Sequence, residues 1–379
     1  MRLGPVAAVL TLACVTACTG AGPGSSVPSG SATGATSAAP PVRSAAPTSS
    51  PRRASVGTPE VIATRLAVPW GVAFLANGDA LVSERDSHRV VRVTPHGGVT
   101  PVGTVPGVRP DAGEGGLLGL ALSPDFATDH LVYAYLTTDH DNRVVRFSYE
   151  GGRIGAPHPV FTGIPTAGIH NGGRIAFGPD KLLYVTAGDA AQSDRAQDRS
   201  YLGGKVLRMT ADGRPAPGNP FPGSVVYTYG HRNPQGLAWG PGGRLYQAEF
   251  GQDALDEVNL LRPGRDYGWP VDEGTDGPDR SGFTRPLRVW RTDQASPSGL
   301  AYAGGSLWLA TLQGQNLYRM HVAADGAVGR PGPLFAHRWG RLRTVAVAPD
   351  GSLWLTTSNR DGRGDPVSSD DRVIRVPLR

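Results

Sequence analysis

Two residues of this chain, His170 and Asp189, have the types and the spacing of a base and its orienting acid. They flank the segment HNGGRIAFGPDKLLYVTAGD, which reads as two apolar strands around a turn centred between Pro179 and Asp180. If that register runs to both ends, His170 and Asp189 are cross-strand partners about 5 Å apart. A carboxylate facing an imidazole fixes its tautomer and raises its basicity, which suits a general base. A hydrogen bond that merely caps the end of the hairpin is the other reading of the same pair. Five further residues precede comparable strands: Glu114, Arg232 with Asn233, and Arg341 with Arg343. Singly, Arg232 could bridge neighbouring elements, and Arg341 and Arg343 could form a solvated rim. Gathered at one place, they favour an anionic ligand held by guanidinium groups. In a second hairpin, with its turn at Pro241-Gly242-Gly243, the same counting sets Gly251 opposite Asn233 and returns the backbone to Arg232.

The elements that must gather these residues form a repeat. Six copies of strand–turn–strand begin at Gly71, Gly119, Arg174, Gly236, Gly299 and Thr344, with spacings of 48, 55, 62, 63 and 45 residues. Most are followed by a third strand such as HRVVRVT, NRVVRFSYE or DRVIRVP. This period is that of four-stranded propeller blades. The fold class is therefore all-β, a six-bladed β-propeller of four-stranded antiparallel blades. Residues 59–67 (PEVIATRLA) supply an extra strand that can complete the last blade and close the ring. In a propeller the innermost strands line the axis, so residues just before them surround one mouth of the channel.

Composition agrees. Gly 53 and Pro 34 in 379 residues suit many short strands and tight turns. The net charge of +5 does not mark a nucleic-acid binder. Residues 1–58 hold four Arg and no Asp, Glu or Lys, which leaves 33 basic against 32 acidic residues in the remainder, and no basic cluster interleaved with aromatics appears. The first 18 residues read as an export signal, with Arg2, an apolar run over residues 6–15, and Val15-Thr16-Ala17-Cys18, which resembles a bacterial lipobox. That resemblance implies cleavage before Cys18 and a lipid on its sulfur; an ordinary secretory signal with an incidental Cys is the other reading of the same residues. Residues 19–58 are almost wholly Gly, Ser, Ala, Pro, Thr and Val, and read as a disordered tether. The propeller itself is assigned to residues 59–379, exported and held at the membrane through the lipid alone.

The motifs PWGVAFLANGDALVSE, EGGLLGLALSPDF, YGHRNPQGLAWGP, DEVNLLRPGRDYGWP and RLRTVAVAPDG, with the hairpin above, resemble the soluble quinoprotein sugar dehydrogenases. These are glucose/sorbosone dehydrogenases that use pyrroloquinoline quinone, and the similarity runs over residues 67–378. The resemblance implies a six-bladed propeller that oxidises a sugar by hydride transfer to the quinone and passes electrons to an acceptor. It implies His170 as general base, Asp189 as its orienting acid, and Arg232 and Asn233 at the quinone oxygens. It further implies Arg341 and Arg343 on the cofactor carboxylates, backbone carbonyls of Gly251 and Gln252 on a cofactor-bridging calcium, and Glu257 with the Tyr267 carbonyl at a further calcium. Four positions depart from the family pattern. Glu114 stands for a cofactor-contacting Gln, Gln313 for a cofactor-binding Lys, Phe250 for His or Gln, and Gln252 for Pro. The first two each remove about one favourable charge facing a trianion.

Two functions follow. One is a cell-surface sugar dehydrogenase whose sugar specificity resides in loop insertions such as residues 272–291. The alternative is a non-catalytic tethered propeller that binds a glycan or a protein, for which Glu114 and Gln313 are the motive. A hydrolase using calcium-bound water is a third and weaker possibility.

Overall fold

The computed structural model describes residues 54–274 and 282–379. Cys18, the signal, the tether up to residue 53 and part of the 272–291 insertion lie outside the described residues. The described chain forms six sheets, each of four antiparallel strands, in sequence order in all but the last, with one added two-residue strand (Arg153–Ile154) on the second. Their innermost strands are Pro69–Phe74, Leu117–Leu122, Ile175–Phe177, Asn233–Trp239, Pro297–Ala303 and Leu342–Val347. The last sheet is completed from the other end of the chain: Glu60–Ala63 pairs antiparallel with Val373–Val376 and becomes its fourth, outermost strand, which joins the two ends of the ring. Pairing starts earlier than Pro59. Ser55 and Gly57 donate backbone hydrogen bonds to Arg379 and Pro377, inside the stretch read as tether.

Six apolar clusters hold the ring. Each sits mainly between two neighbouring blades, and together they complete the circuit. The second strand of each blade is covered on both faces by its neighbours. Ala80–Glu84, Leu183–Ala187, Ser306–Thr311 and Leu353–Thr357 are accordingly buried at every residue. Trp308, Trp354, Tyr133 and Tyr246 fill the widening space between blades, all with less than 2% exposed. Near the axis the inner strands converge, and the repeated glycine of the inner strand permits it. A Cβ at Gly71 would lie 2.6 Å from the Leu120 nitrogen, and one at Gly236 would lie 2.6 Å from the Ser298 carbonyl.

Candidate active site

Residues preceding the inner strands meet at one end of the axis, around a cavity of about 320 Å3. Its lining includes Arg85, Glu114, Asn233, Gln235, Gln313, Arg341, Arg343, Asp361 and Arg363. Four guanidinium groups face two carboxylates, a net of plus two. Arg341 and Arg343 share one buried carboxylate: their Nη2 atoms lie 3.0 and 3.1 Å from Asp361 Oδ2. Arg343 also donates to Gln235 Oε1 at 3.1 Å and to Ser358 Oγ. Burial pulls the Arg343 pKa down to about 10, with Asp361 opposing and Arg85 and Arg341 reinforcing. At Asp361 burial acts upward, yet Arg343 and Arg341 outweigh it and hold the carboxyl below its usual range. Glu114 is fully engaged. Its Oε2 accepts the His170 N–H at 2.8 Å, and its Oε1 pairs with Arg363 Nη1 at 2.8 Å.

Beside this cavity His170 and Asp189 meet, Nδ1 to Oδ1, at 2.7 Å, and both are buried. The expected register is corrected here. The ladder pairs Ile175 with Val185, where the counting from the sequence required Tyr184, because Lys181 takes a left-handed conformation and lengthens the turn by one residue. Regular pairing then stops at Ile175. The chain bends through Gly172 and Gly173, both at positive φ, and His170 itself has φ 58°. Ala190 and Ala191 are left-handed as well, so three non-glycine residues in a sparsely populated region surround the pair. Asp189 offsets part of that cost: its Oδ1 also accepts the Ala191 N–H at 2.9 Å, and its Oδ2 accepts the Trp269 indole N–H at 2.8 Å. Both carboxylate oxygens are thus committed, which fixes the acid and, through it, the imidazole.

The second hairpin is corrected in the same way. Asn233 faces Phe250, not Gly251, because a bulge at Gln235 shifts the register between Pro234 and Gly236. Asn233 Oδ1 accepts the Gly172 N–H at 3.1 Å and so ties the third blade to the fourth. Arg232 does not line the cavity of the other arginines. Its Nε and Nη2 donate to Gln252 Oε1 at 2.9 and 2.6 Å, and its guanidinium lies 5.6 Å from the Trp269 ring.

Arg232 instead borders an adjoining void of about 10 Å3, room for one water or small ion, together with Glu249, Gly251, Glu257, Tyr267, Asp272 and Glu273. Gly251, Glu257 and Tyr267 of the expected calcium ligands thus share one wall, whereas the Gln252 side chain is held by Arg232. Among the described residues no three His, Cys, Asp or Glu side chains close into a metal-holding cluster. A cation here would therefore draw on backbone carbonyls beside Glu257. The oxygen-only donor set suits a hard ion. Burial, then the neighbouring Glu249, pushes the Glu257 carboxyl up to about 8, and burial pushes Asp256 up to about 7. Their folded-state pKa values exceed the unfolded ones, so between about pH 4 and pH 8 the folded chain holds protons that the unfolded chain has released. Stability of metal-free protein is therefore expected to fall across that window, by on the order of a few kcal/mol between pH 5 and 8.5. Denaturant titrations in chelator at both pH values test this; equal stabilities would refute it.

The sequence reading missed Arg85, Gln235, Asp361, Arg363 and Trp269. Trp269 lies within the motif YGWP, and Gln235 stands two residues after the singled-out Asn233 in NPQG, so both carried a signal. In the 272–291 insertion, Asp272 and Glu273 line the void and Arg288–Arg291 is the outer strand of the fourth blade.

The chain matches the Glucose / Sorbosone dehydrogenase family over residues 66–368. It is similar to the solved PQQ-bound aldose sugar dehydrogenase of Streptomyces coelicolor, at 54% identity and a TM-score of 0.83, over 87% of this chain and 99% of that one. It is 30% identical over 340 residues to the aldose sugar dehydrogenase of Escherichia coli, covering 80% of this chain and 90% of the relative. The quinoprotein glucose dehydrogenase B of Acinetobacter calcoaceticus is 35% identical over 247 residues, 56% of this chain and 52% of its own. With the propeller, the buried imidazole–carboxylate pair and the arginine-lined mouth, these likenesses establish that the chain belongs to the glucose/sorbosone dehydrogenase family, oxidoreductases acting on CH–OH donors.

Proposed function

We propose that this protein is a quinoprotein aldose dehydrogenase that uses pyrroloquinoline quinone and calcium, with His170 as general base. The observation that carries the reading is the 2.7 Å contact of His170 Nδ1 with Asp189, beside a cavity with four guanidinium groups. The fit to a flat tricarboxylate is favourable: the cavity has an excess of two positive charges, and Arg341 and Arg343 have one carboxylate between them. When bound, the quinone supplies a hydride acceptor and calcium supplies the charge that polarises it. Arg341 and Arg343 would hold its carboxylates, and the backbone at Gly251 and Gln252 would face the metal. Asp189 keeps the proton on Nδ1, so the Nε2 lone pair is the one that takes the proton of the sugar hydroxyl. Trp269 and Ala191 hold Asp189 in place for that task.

The test is reconstitution. Purified apoprotein given the quinone and calcium should reduce a dye with one or more of a panel of aldoses. No turnover with any sugar, together with no change in quinone absorbance on mixing, would sink the reading. The raised Glu257 carboxyl adds a sign: calcium must displace its proton, so calcium affinity, and the rise in melting temperature over chelator, should be greater at pH 8.5 than at pH 6. Calcium affinity that is flat across this range would argue against Glu257 as a ligand.

The reading extends to location. The Cys18 context and the residue 19–58 composition support an exported, lipid-anchored enzyme that hands electrons to an acceptor outside the cytoplasm. Cys18→Ala should move the protein from the membrane fraction to the medium or the soluble fraction. Retention at the membrane would count against the anchor.

A further inference from the structure

Of the four guanidinium groups at the cavity, three are committed. Arg341 and Arg343 share Asp361, and Arg85 pairs with Asp86 at 2.5 Å; each of these three side chains is less than a tenth exposed. Arg363 differs. Its side chain is 59% exposed, and its partner is Glu114. The loop that carries it has open space beside it, since a Cβ at Gly362 would meet nothing within 4 Å. Arg363 and Gln313 both line the mouth cavity and a neighbouring cavity of about 430 Å3, so they stand together on the wall between the two. Gln313 brings no charge to that wall.

We propose that Arg363 is a ligand of the cofactor's carboxylates, which it takes in exchange for Glu114 when the cofactor enters the mouth. This rests on the quinone reading and deepens it by naming the residue that supplies the charge Gln313 does not. One feature favours the exchange and a second limits it. The Arg363 end of the pair is 59% exposed against 21% for Glu114, so the guanidinium passes into water at little cost when it leaves. Glu114 is also held by the His170 N–H at 2.8 Å, so its carboxylate stays behind when Arg363 turns. That remaining charge opposes an incoming anion. Glu114→Gln keeps an acceptor for the His170 amide, drops the charge and frees Arg363, and therefore has the opposite effect from loss of Arg363.

The experiment titrates pyrroloquinoline quinone into calcium-supplemented apoprotein and follows tryptophan fluorescence and quinone absorbance, without sugar. Wild type, Arg363→Ala, Glu114→Gln and the double variant are compared, with thermal melts to check folding. Arg363→Ala should weaken quinone binding by roughly tenfold or more, with a shallower dependence on salt than wild type. Glu114→Gln should tighten it by roughly threefold or more, and the double variant should lose most of that gain. Arg363→Ala within twofold of wild type, or Glu114→Gln weaker than wild type, would overturn the assignment while leaving the quinone reading standing. A wild-type protein that takes up no quinone would overturn both.

Discussion

Asp189→Asn is expected to lower kcat for sugar oxidation by about two to four orders of magnitude, with quinone affinity changed far less. The size follows from how Asp189 is held. Its Oδ1 accepts from both His170 Nδ1 and the Ala191 N–H, and its Oδ2 accepts from Trp269 Nε1. An amide has only one acceptor oxygen. With its NH2 toward His170, it would meet the Ala191 N–H and force the proton of the imidazole onto Nε2, where a base cannot carry it. With its NH2 toward Trp269, it keeps the tautomer but faces a donor with a donor, and the imidazolium formed on proton abstraction loses its counter-charge. Either orientation removes what the carboxylate contributes. His170→Ala should fall at least as far and still bind the quinone, since the cavity's guanidinium groups are untouched. Steady-state kinetics with direct quinone titration separate the two effects. A variant with Asn at 189 that retains a tenth of wild-type kcat would show that the pair is structural. Trp269→Phe provides the graded control, because it removes only the Oδ2 contact and should cost less than Asp189→Asn.

The ring was legible because a propeller blade is built from hairpins between chain neighbours. Each short apolar run meets the next after a few turn residues, and the leftover strand at Glu60–Ala63 had one place to go. Registers were less legible. A left-handed Lys181 and a bulge at Gln235 each displace pairing by one residue, and neither residue type announces that conformation. His170 and Asp189 nevertheless meet, because the chain leaves the ladder at Gly173 and the pair is made by bent backbone outside the regular strands. Two hidden partners have different causes. The stretch DGRGD reads as a solvated turn, so nothing in it distinguishes Asp361, which is buried between two arginines, from its exposed neighbour Asp365. Glu114 reads as a bare charge opposed to an anionic ligand, and its two partners, the His170 amide and Arg363, are not legible in the sequence.

Asp361→Asn should produce the largest loss of stability at the mouth, and the quinone should return more of it than it gives the wild type. Asp361 Oδ2 takes Arg341 Nη2 at 3.0 Å, Arg343 Nη2 at 3.1 Å and Ser358 Oγ at 3.1 Å, and the three charged side chains are 2–8% exposed. Removing the charge leaves two adjacent buried guanidinium groups with no counter-ion, a loss of about 3–5 kcal/mol. In a domain of this size that lowers the melting temperature by roughly 5–10 °C. The pH dependence has a definite sign. The folded-state pKa of Asp361 is depressed, so its contribution is full above the unfolded carboxylate range and fades as pH falls through the folded value. The gap between wild type and variant should therefore be widest at neutral pH and close as the pH falls below the ordinary aspartate range. A tricarboxylate in the cavity would bring the missing negative charge to Arg341 and Arg343, so the melting temperature of the variant should rise more with added quinone than that of the wild type. If the quinone stabilised both proteins equally, its carboxylates would not be reaching these two arginines, because any anion that does must interact more strongly with the pair once Asp361 no longer competes for it.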